Sequence, residues 1–351
     1  MIEFLTQYGM FLAQVATLVV AILIVVGGII SAATRNRHRD GDHGGHLQVD
    51  FLNDEFEDLR DSVMAQVLPA KQHKAERKKK RKAEKVQAKQ RKKAGTADKP
   101  RPRLFVLDFN GDMHASGVEQ LRHEISALLQ VAGADDEVLL RLESPGGLVH
   151  GYGLAASQLK RLRSHGLKLT IAVDQVAASG GYMMACIADR IVAAPFAIIG
   201  SIGVVAQIPN VHRLLKKNDI DVELMTAGEY KRTLTMLGEN TDKGRQKFQE
   251  ELDETHQLFK NFVREHRRTL DIDSVATGEH WFGTRARELG LVDEIMTSDE
   301  YLQGRKDTLD IYALSWQRKR KLAEKLGFSM EIAATRLIDR FWQRGSQRPY
   351  S

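Results

Sequence analysis

Hydrophobic and polar positions alternate along residues 103–311 in a way that predicts an α/β domain. Short apolar or alternating runs over residues 104–109, 138–142 and 169–173 indicate strands. Between them, apolar residues recur every three or four positions over residues 117–131 and about 151–164, which indicates amphipathic helices. Strands that alternate with helices at this spacing predict a mainly parallel sheet.

The second half of this region continues with weaker signals. We expect shorter strands near Ile191, Val204 and Val222, a long charged helix over residues 241–270, and a closing strand over residues 290–295. The apolar run from 183 to 208 is long enough to suggest a membrane span. Its interruptions (Asp189, Arg190 and Pro195) favour a pair of core strands instead.

A membrane anchor is predicted near the N-terminus. Residues 10–30 contain no charged side chain, and a helix of about 20 apolar residues spans a bilayer. A cleaved signal peptide is the alternative, but no Lys or Arg precedes the run, which is also longer than a usual signal-peptide core. Arg35, Arg37 and Arg39 follow directly, and the positive-inside rule then places the rest of the chain in the cytoplasm.

Between anchor and domain, the sequence predicts a polar linker and then helices. A short stretch rich in histidine and aspartate matches no zinc spacing, so we expect no metal (His38, Asp40, Asp42, His43 and His46). Residues 47–68 have the pattern of a mildly amphipathic, acidic helix. A helix-prone basic tract covers residues 71–99, and a basic amphipathic tail follows Tyr312.

The charge is unevenly distributed and changes the interpretation of possible partners. Of the net charge of +6, residues 71–103 contribute an excess of 13 (16 Lys and Arg against 3 Asp and Glu), which leaves −7 for the remainder. The basic tract has no aromatic residues for base stacking, so anionic membrane lipids are a better partner than a specific nucleic acid. A merely solvated linker remains an alternative. The single cysteine, Cys186, excludes an intrachain disulfide.

Candidate chemistry lies in three short stretches of small residues, at 144–147, 177–181 and 200–203. Ser179 offers a hydroxyl and Gly180 an unobstructed N–H at a predicted helix start, although close packing alone would also explain such residues. A serine nucleophile needs a base. The downstream histidines have no apparent orienting carboxylate (His212, His256, His266 and His280). Lys231 is the other option, with Ser201 as a group that orients it. By itself, Lys231 is better explained as an ordinary surface lysine in a polar loop.

Taken together, these stretches resemble the S49 family of serine peptidases, the signal peptide peptidase A family, and most closely its SohB-type inner-membrane members. The resemblance covers residues 103–305. It rests on residues 177–182 (AASGGY), on Lys231 placed 52 residues after Ser179, on Ser201 placed 22 residues after it, and on residues 144–147 (SPGG) and 284–294.

The resemblance implies a site, a fold and an assembly. Ser179 would be the nucleophile, Lys231 the general base and Ser201 the group that orients the lysine, with oxyanion N–H groups from Gly147 and Gly180 and no cofactor. The implied fold is like that of the Clp protease and crotonase, built from repeated strand–strand–helix units and preceded by one transmembrane helix and a basic helical linker. The implied assembly is a ring-like homo-oligomer, in which Lys231 of an adjacent subunit can complete the dyad.

The sequence therefore predicts four regions: an anchor (1–34), a polar and then Lys/Arg-rich linker (35–102), a peptidase domain (103–311) and a basic tail (312–351). The predicted protein is a single-pass serine endopeptidase of the bacterial inner membrane that degrades signal peptides or misfolded polypeptides. The alternatives are a crotonase-like acyl-CoA enzyme and an inactive membrane scaffold. The side of the membrane stays open, because many members of the family work outside the cytoplasm.

Overall fold

A computed structural model describes residues 45–93 and 101–318 of the chain. Residues 47–316 form one compact unit, and the sites discussed below lie within it. The segments 1–46 and 317–351 form a second unit, of which only the outer ends of two strands are described. No helix within the described ranges combines the length and apolarity that a bilayer crossing requires. The predicted anchor, like most of the predicted tail, lies outside the described residues.

A large, mainly parallel sheet forms the centre of the unit. The strands of the structure are Gly45–Phe51 (β1), Arg103–Asn110 (β2), Glu137–Glu143 (β3), Lys168–Val173 (β4), Val176–Ala178 (β5), Arg190–Ala193 (β6), Ile198–Gly200 (β7), His280–Phe282 (β8), Glu294–Ile295 (β9) and Asp310–Arg318 (β10). The large sheet has the order β1-β10-β2-β3-β4-β6-β9, and its ladders from β10 to β9 are parallel. A second, small sheet has the order β5-β7-β8.

The helices complete a layered α/β arrangement. They are Leu52–Val67 (α1), Ala70–Lys93 (α2), Val118–Leu128 (α3), Val149–Ser164 (α4), Gly180–Ala185 (α5), His212–Lys217 (α6), Asp242–His266 (α7), Ile272–Val275 (α8), Gly283–Glu288 (α9) and Ser298–Arg305 (α10). From β4 the chain passes to β5 in the small sheet and then to α5; from β6 it passes to β7. The chain thus repeats a strand in the large sheet followed by a strand in the small one.

Strand alternation explains why the large sheet has a core on each face. Phe105 and Leu107 of β2 point into the main cluster with α3, α4 and α5, whereas Leu104 and Val106 point into a second cluster with Tyr301 of α10. Successive side chains of a strand face opposite sides. A strand covered on both faces therefore has the nearly continuous apolar pattern seen in the sequence.

The predicted strands at 104–109, 138–142 and 169–173 are confirmed, as are the helices corresponding to α3, α4 and α7. The basic tract is helical as α2 over the part that is described. The closing strand predicted over 290–295 is reduced to β9, while Leu291 and Val292 are buried just before it.

The helix predicted over residues 47–68 is wrong at its beginning. Residues 45–51 form β1, and the helix begins only at Leu52. Leu47 packs on the main cluster, while Phe56 packs on the second one and Phe51 contacts the ring of Tyr312 at 5.1 Å. Likewise β10 continues past Tyr312, so the first residues assigned to the tail are a strand of the large sheet.

The predicted strands near Val204 and Val222 are also wrong. Both positions lie outside any strand of the described chain, in a segment from 201 to 241 whose only helix is α6. The apolar strand of this stretch lies earlier, as β7. An apolar run forms a strand only where a neighbouring edge accepts its backbone hydrogen bonds, and the described chain offers this segment none.

Candidate active site

The register of the small sheet brings two of the predicted site residues side by side. Strands β5 and β7 are parallel, with Ala178 paired to Gly200. The residues that follow, Ser179 and Ser201, therefore leave the sheet at the same edge. The Ser179 N–H donates a hydrogen bond to the carbonyl oxygen of Gly200 at 2.8 Å, which fixes the two turns against each other.

Ser179 has an unusual backbone conformation at the start of a buried helix. Its φ is 52° and its ψ is −116°. A positive φ is uncommon for residues other than glycine, and such residues occur preferentially at functional sites. Ser179 is half-buried, and within residues 45–93 and 101–318 its hydroxyl has no hydrogen-bond partner. The turn thus presents the hydroxyl beside the first N–H groups of α5.

Glycines permit this close approach of backbone segments. Gly146 has a φ of +91°, and a Cβ added there would lie 2.8 Å from the Cβ of Ser179 and from the nitrogen of Gly180. A Cβ on Gly180 would lie 2.4 Å from Cγ of Tyr152. Any side chain at either glycine would displace the serine turn or the loop that packs on it.

A buried network of hydrogen bonds fixes the loop at 144–147. Ser144 bridges to Ala177 of β5, and its Oγ lies 2.6 Å from the Tyr152 hydroxyl. Tyr152 donates to the carbonyl oxygen of Asp112 at 2.8 Å, and the Gly146 N–H donates to the Ser144 oxygen at 3.1 Å. Burial raises the pKa of Tyr152, so its hydroxyl stays protonated and serves as a donor.

Two peptide N–H groups in the loops that pack around the serine turn have no acceptor in the described part of the chain. Gly147 and Gly180 donate no hydrogen bond to any group in the described part of the chain. Gly147 is pressed against the backbone of Met113, since a Cβ added there would lie 2.2 Å from the Met113 carbonyl oxygen. Free N–H groups beside a hydroxyl can stabilise an oxyanion that forms when the hydroxyl attacks a carbonyl carbon.

Ser201 and Lys231 are placed very differently. Ser201 has a φ of 51°. Its N–H donates to the backbone carbonyl oxygen of Glu279 at 2.7 Å, and its hydroxyl donates to the carbonyl oxygen of Gly278 at 3.4 Å. Lys231 lies exposed in the irregular segment after α6, and its ammonium group has no hydrogen bond or ion pair with any described residue. Of the five predicted site residues, Ser179, Gly180 and Ser201 lie on adjoining turns. Gly147 lies in the loop that packs on the serine turn, and Lys231 has no hydrogen bond or ion pair with any of them.

Sequence reasoning missed the residues that hold the site in place. The stretch 144–147 was singled out from the sequence, but no separate role was predicted for Ser144 or Gly146, and none for Tyr152 or the backbone of Asp112. The available signal for Gly146 was its position directly before Gly147, a predicted oxyanion residue in the same stretch of small residues. Tyr152 had no local signal, because its partners lie 8 and 40 residues away along the chain.

A cavity of about 710 Å³ lies elsewhere, where the C-terminal ends of α4 and α7 meet the start of β4. None of the five predicted site residues lines it. Its charged lining is largely paired internally, as in Lys160 with Glu265 at 3.2 Å and Arg163 with Asp189 at 2.8 Å. The cavity therefore belongs to a network of surface ion pairs.

No metal site is found within the described ranges, where no three His, Cys, Asp or Glu side chains cluster suitably. Of the histidine-rich stretch considered in the sequence, only His46 is described, at the beginning of β1.

Comparison with protein families gives a consistent result over most of the chain. A family model described as "Peptidase family S49 N-terminal" matches residues 3–159, and one described as "Peptidase family S49" matches residues 161–311. Together the two models extend from the region of the predicted anchor to the beginning of β10.

Curated relatives match at high identity. The "Probable protease SohB" of Haemophilus influenzae is 52% identical over 350 residues, which covers 98% of each chain. The "Probable protease SohB" of Buchnera aphidicola subsp. Schlechtendalia chinensis is 46% identical over 308 residues, which covers 86% of this chain and 100% of the relative. Among solved structures, the S97A mutant of the "1510-N membrane-bound stomatin-specific protease" is 13% identical, with a TM-score of 0.40 over 58% of this chain and 84% of that one.

Proposed function

Because the chain belongs to peptidase family S49 and is a serine-type peptidase, we propose that it is a membrane-anchored endopeptidase in which Ser179 is the nucleophile and Lys231 the general base. The observation that carries the proposal is the Ser179 turn. Ser179 is half-buried with a positive φ, and the glycine loops that pack around its turn have unbonded N–H groups. Family membership favours this proposal over the acyl-CoA enzyme considered from sequence.

The proposed reaction follows from these positions. The neutral amine of Lys231 takes the Ser179 proton while the serine oxygen attacks the carbonyl carbon of the scissile peptide bond. The N–H groups of Gly147 and Gly180 stabilise the developing oxyanion, and one such donor typically contributes about 2.7–4 kcal/mol. The protonated lysine gives its proton to the leaving amine as the C–N bond breaks. Lys231 then removes a proton from the water that hydrolyses the acyl-enzyme.

We further propose that Lys231 acts on a neighbouring subunit of a ring-like homo-oligomer. A lysine becomes a base when it is withdrawn from water, and the exposed Lys231 requires a surface that does this. The segment that carries it also exposes large apolar side chains, with Val205 at 91% and Met225 at 86%. Several large apolar side chains exposed within one segment indicate an interaction site. A second copy that covers the segment would bury Lys231, and Ser201 would then be placed to orient it.

The proposal includes the membrane and the substrates. The uncharged run at 10–30 is the proposed single-pass anchor, in the bacterial inner membrane, and anionic lipids are the proposed partners of the basic tract. The proposed substrates are signal peptides or misfolded polypeptides, whose apolar segments reach the enzyme at the membrane. The implied fold relationship to the Clp protease and crotonase is likewise part of the proposal, and the alternation of strands between the two sheets supports it.

The test is hydrolysis of a quenched, leucine-rich peptide by detergent-purified full-length protein. Ser179→Ala and Lys231→Ala should each lower turnover at least about 10³-fold, because nucleophile and base act as a unit. Lys168→Ala is the matched control and should retain full turnover. Lys168 is also exposed, its ammonium group is unbonded among the described residues, and it lies outside the segment from 201 to 241. Turnover that survives Lys231→Ala would overturn the dyad, and a silent Ser179→Ala would favour a scaffold role.

A mixing experiment tests the neighbouring-subunit arrangement. If the two inactive variants are dissociated and reassembled together, some interfaces combine an intact Ser179 with an intact Lys231 from the adjacent copy. Random assembly at equal amounts should restore about a quarter of the wild-type turnover. A mixture that stays inactive although mass measurement shows mixed oligomers would place the dyad within one chain.

A further inference from the structure

The end of α1 exposes a row of apolar side chains that the proposed peptidase site does not use. The first turns of α1 are packed through Leu52 and Phe56 against the second core cluster. Farther along, Leu59, Val63 and Val67 are 66%, 60% and 71% exposed. Their spacing of four residues places them on one side of the helix. These three residues are called the apolar stripe.

The following helix, α2, carries a row of lysines at helical spacing. Lys71, Lys74, Lys78 and Lys82 are exposed, and none has a hydrogen bond or ion pair with a residue that the structure describes. Steps of three and four residues keep them on one side of the helix. These four residues are called the lysine stripe. The sequence continues the same spacing with lysines at 85, 89 and 92.

A different side of α2 is used for contact with α1. Arg77 approaches Asp61 of α1 at 3.7 Å, and His73 is half-buried. At about 100° per residue, His73 and Arg77 lie roughly a third of a turn away from the middle of the lysine stripe. The lysine stripe is therefore not neutralised by the acidic residues of α1, and its charge faces outward.

The combination of the two stripes indicates what kind of surface they contact. Exposed apolar side chains followed by unpaired lysines suit the boundary between acyl chains and phosphate headgroups. Lysines near an anionic membrane each add attraction that salt weakens. No aromatic residue lies between 70 and 93 to stack on bases, which disfavours nucleic acid.

We propose that the α1–α2 hairpin docks on an anionic phospholipid surface through the apolar stripe and the lysine stripe. The apolar stripe enters the headgroup boundary and the lysine stripe pairs with lipid phosphates. This inference rests on the proposed anchoring of the chain, because the uncharged run at 10–30 would hold the hairpin near a bilayer. It does not depend on the proposed catalytic residues.

The experiment measures hydrogen–deuterium exchange of residues 59–82 in the full-length protein reconstituted into lipid nanodiscs. Discs of phosphatidylcholine alone are compared with discs that contain about 30% phosphatidylglycerol, at about 0.05 M and about 0.5 M salt. We expect exchange to slow at least about fivefold in the anionic discs at low salt, and this protection to be lost at high salt.

Matched variants separate the stripe from net charge. The lysine-stripe variant replaces Lys71, Lys74, Lys78 and Lys82 by Gln, which keeps helix propensity. The control variant replaces four other bases of the hairpin by Gln (Arg60, Lys79, Lys80 and Arg91), which leaves the pair of Arg77 with Asp61 intact. The protection should disappear in the first and persist in the second. A third variant with Gln at Leu59, Val63 and Val67 should lose protection of residues 59–67.

The outcomes are distinguishable. Equal protection in both disc types, or equal loss in the stripe and control variants, would overturn the docking surface. Protection by a short RNA duplex in neutral discs without protection in anionic discs would favour nucleic acid. Protection that follows protein concentration and not lipid would favour a second copy of the chain. Failure of the protein to insert into any disc would instead count against the anchor, and peptide turnover in detergent reports separately on the catalytic proposal.

Discussion

At the scale of single residues, the Ser179 turn depends on neighbouring glycines, which have no side chain to occupy the space. Gly146 lies in a left-handed conformation against both Ser179 and Gly180, and Gly180 lies against the Tyr152 ring. Below them, the bonds among Ser144, Tyr152 and Gly146 are buried, so losing one partner leaves the other unsatisfied. The geometry of the Ser179 turn is thus set by the packing around it more than by the side chain of Ser179 itself.

Gly146→Ala should damage activity and stability together. The added methyl would require a positive φ and lie 2.8 Å from three atoms of the serine turn, so the loop must shift. We expect unfolding free energy to fall by about 1–3 kcal/mol and turnover to fall about 10²-fold. Urea unfolding and peptide hydrolysis measure the two effects.

Gly153→Ala is the control for that substitution. Gly153 lies within α4, and a Cβ there would meet no atom within 4 Å. Alanine should add about 0.5–1 kcal/mol of stability, because glycine weakens a helix interior, and turnover should be unchanged. Equal behaviour of the two variants would show that the close approach at Gly146 is not needed.

At the scale of elements, helix α3 fixes the far end of β10 through one buried carboxylate. Glu124 accepts a hydrogen bond from the backbone N–H of Trp316 at 2.7 Å. The neighbouring His123 ring stacks on the Trp316 ring, with the ring centroids 4.3 Å apart. Glu124 is only 4% exposed, and its second oxygen is buried with no hydrogen-bond partner among the described residues. Burial, with a smaller contribution from the charge of Asp108, raises the pKa of Glu124 to about 7.

This carboxyl should make stability fall as pH rises. The folded state keeps the proton up to about pH 7, whereas the unfolded chain releases it near the ordinary value of 4.5, so the folded state binds more protons between these values. The full shift corresponds to a loss of up to roughly 3 kcal/mol between pH 4.5 and pH 7. Glu124→Gln should remove this loss, making the variant more stable than wild type at pH 8 relative to pH 5.

Urea unfolding at pH 5 and pH 8 measures the difference. Glu119→Gln is the control on the same helix, because Glu119 is exposed and pairs only with the nearby Arg122. It should leave the pH dependence as in wild type. An unchanged slope in Glu124→Gln would show that another group titrates in this range.

At the scale of the whole molecule, the segment from 201 to 241 exposes large apolar side chains that the described part of the chain does not cover. Many of its large apolar side chains are exposed, although strand β7 before it and helix α7 after it both contribute side chains to the core. Lys231 lies in the same segment. Under the proposed function, a second copy covers this segment and completes the site.

Replacing Val205 and Met225 by Asp should therefore weaken the oligomer and the activity together. Burying two charges at an interface is costly, so we expect a shift toward the monomer and a turnover loss of at least about tenfold. Light scattering coupled to size-exclusion chromatography measures the mass. Val131→Asp, at an exposed apolar position after α3, is the control and should change neither. A monomeric wild type with full turnover would contradict the oligomer.

Much of the fold was predictable because its signals are local. Strands β2, β3 and β4 and helices α3, α4 and α7 were predicted from periodicity, which each segment carries in its own residues. The errors occurred where periodicity is ambiguous or lacks a partner. Leu47 and Phe51 have the spacing of a helix face, yet β1 places them beside β10, and the apolar residues near Val204 and Val222 find no strand to pair with.

Local residue patterns were enough to predict most of the elements in their order, the loops of small residues after the strands, and Ser179, Ser201 and Lys231 as candidates. Residue type and spacing express these features directly. The folded structure was needed to show that Ser179 and Ser201 share one sheet edge and that Gly146 and Tyr152 shape the serine turn. It was also needed to show that the ammonium group of Lys231 has no hydrogen bond or ion pair with any described residue. These depend on strand register and on contacts between residues far apart in the chain, which no local pattern encodes.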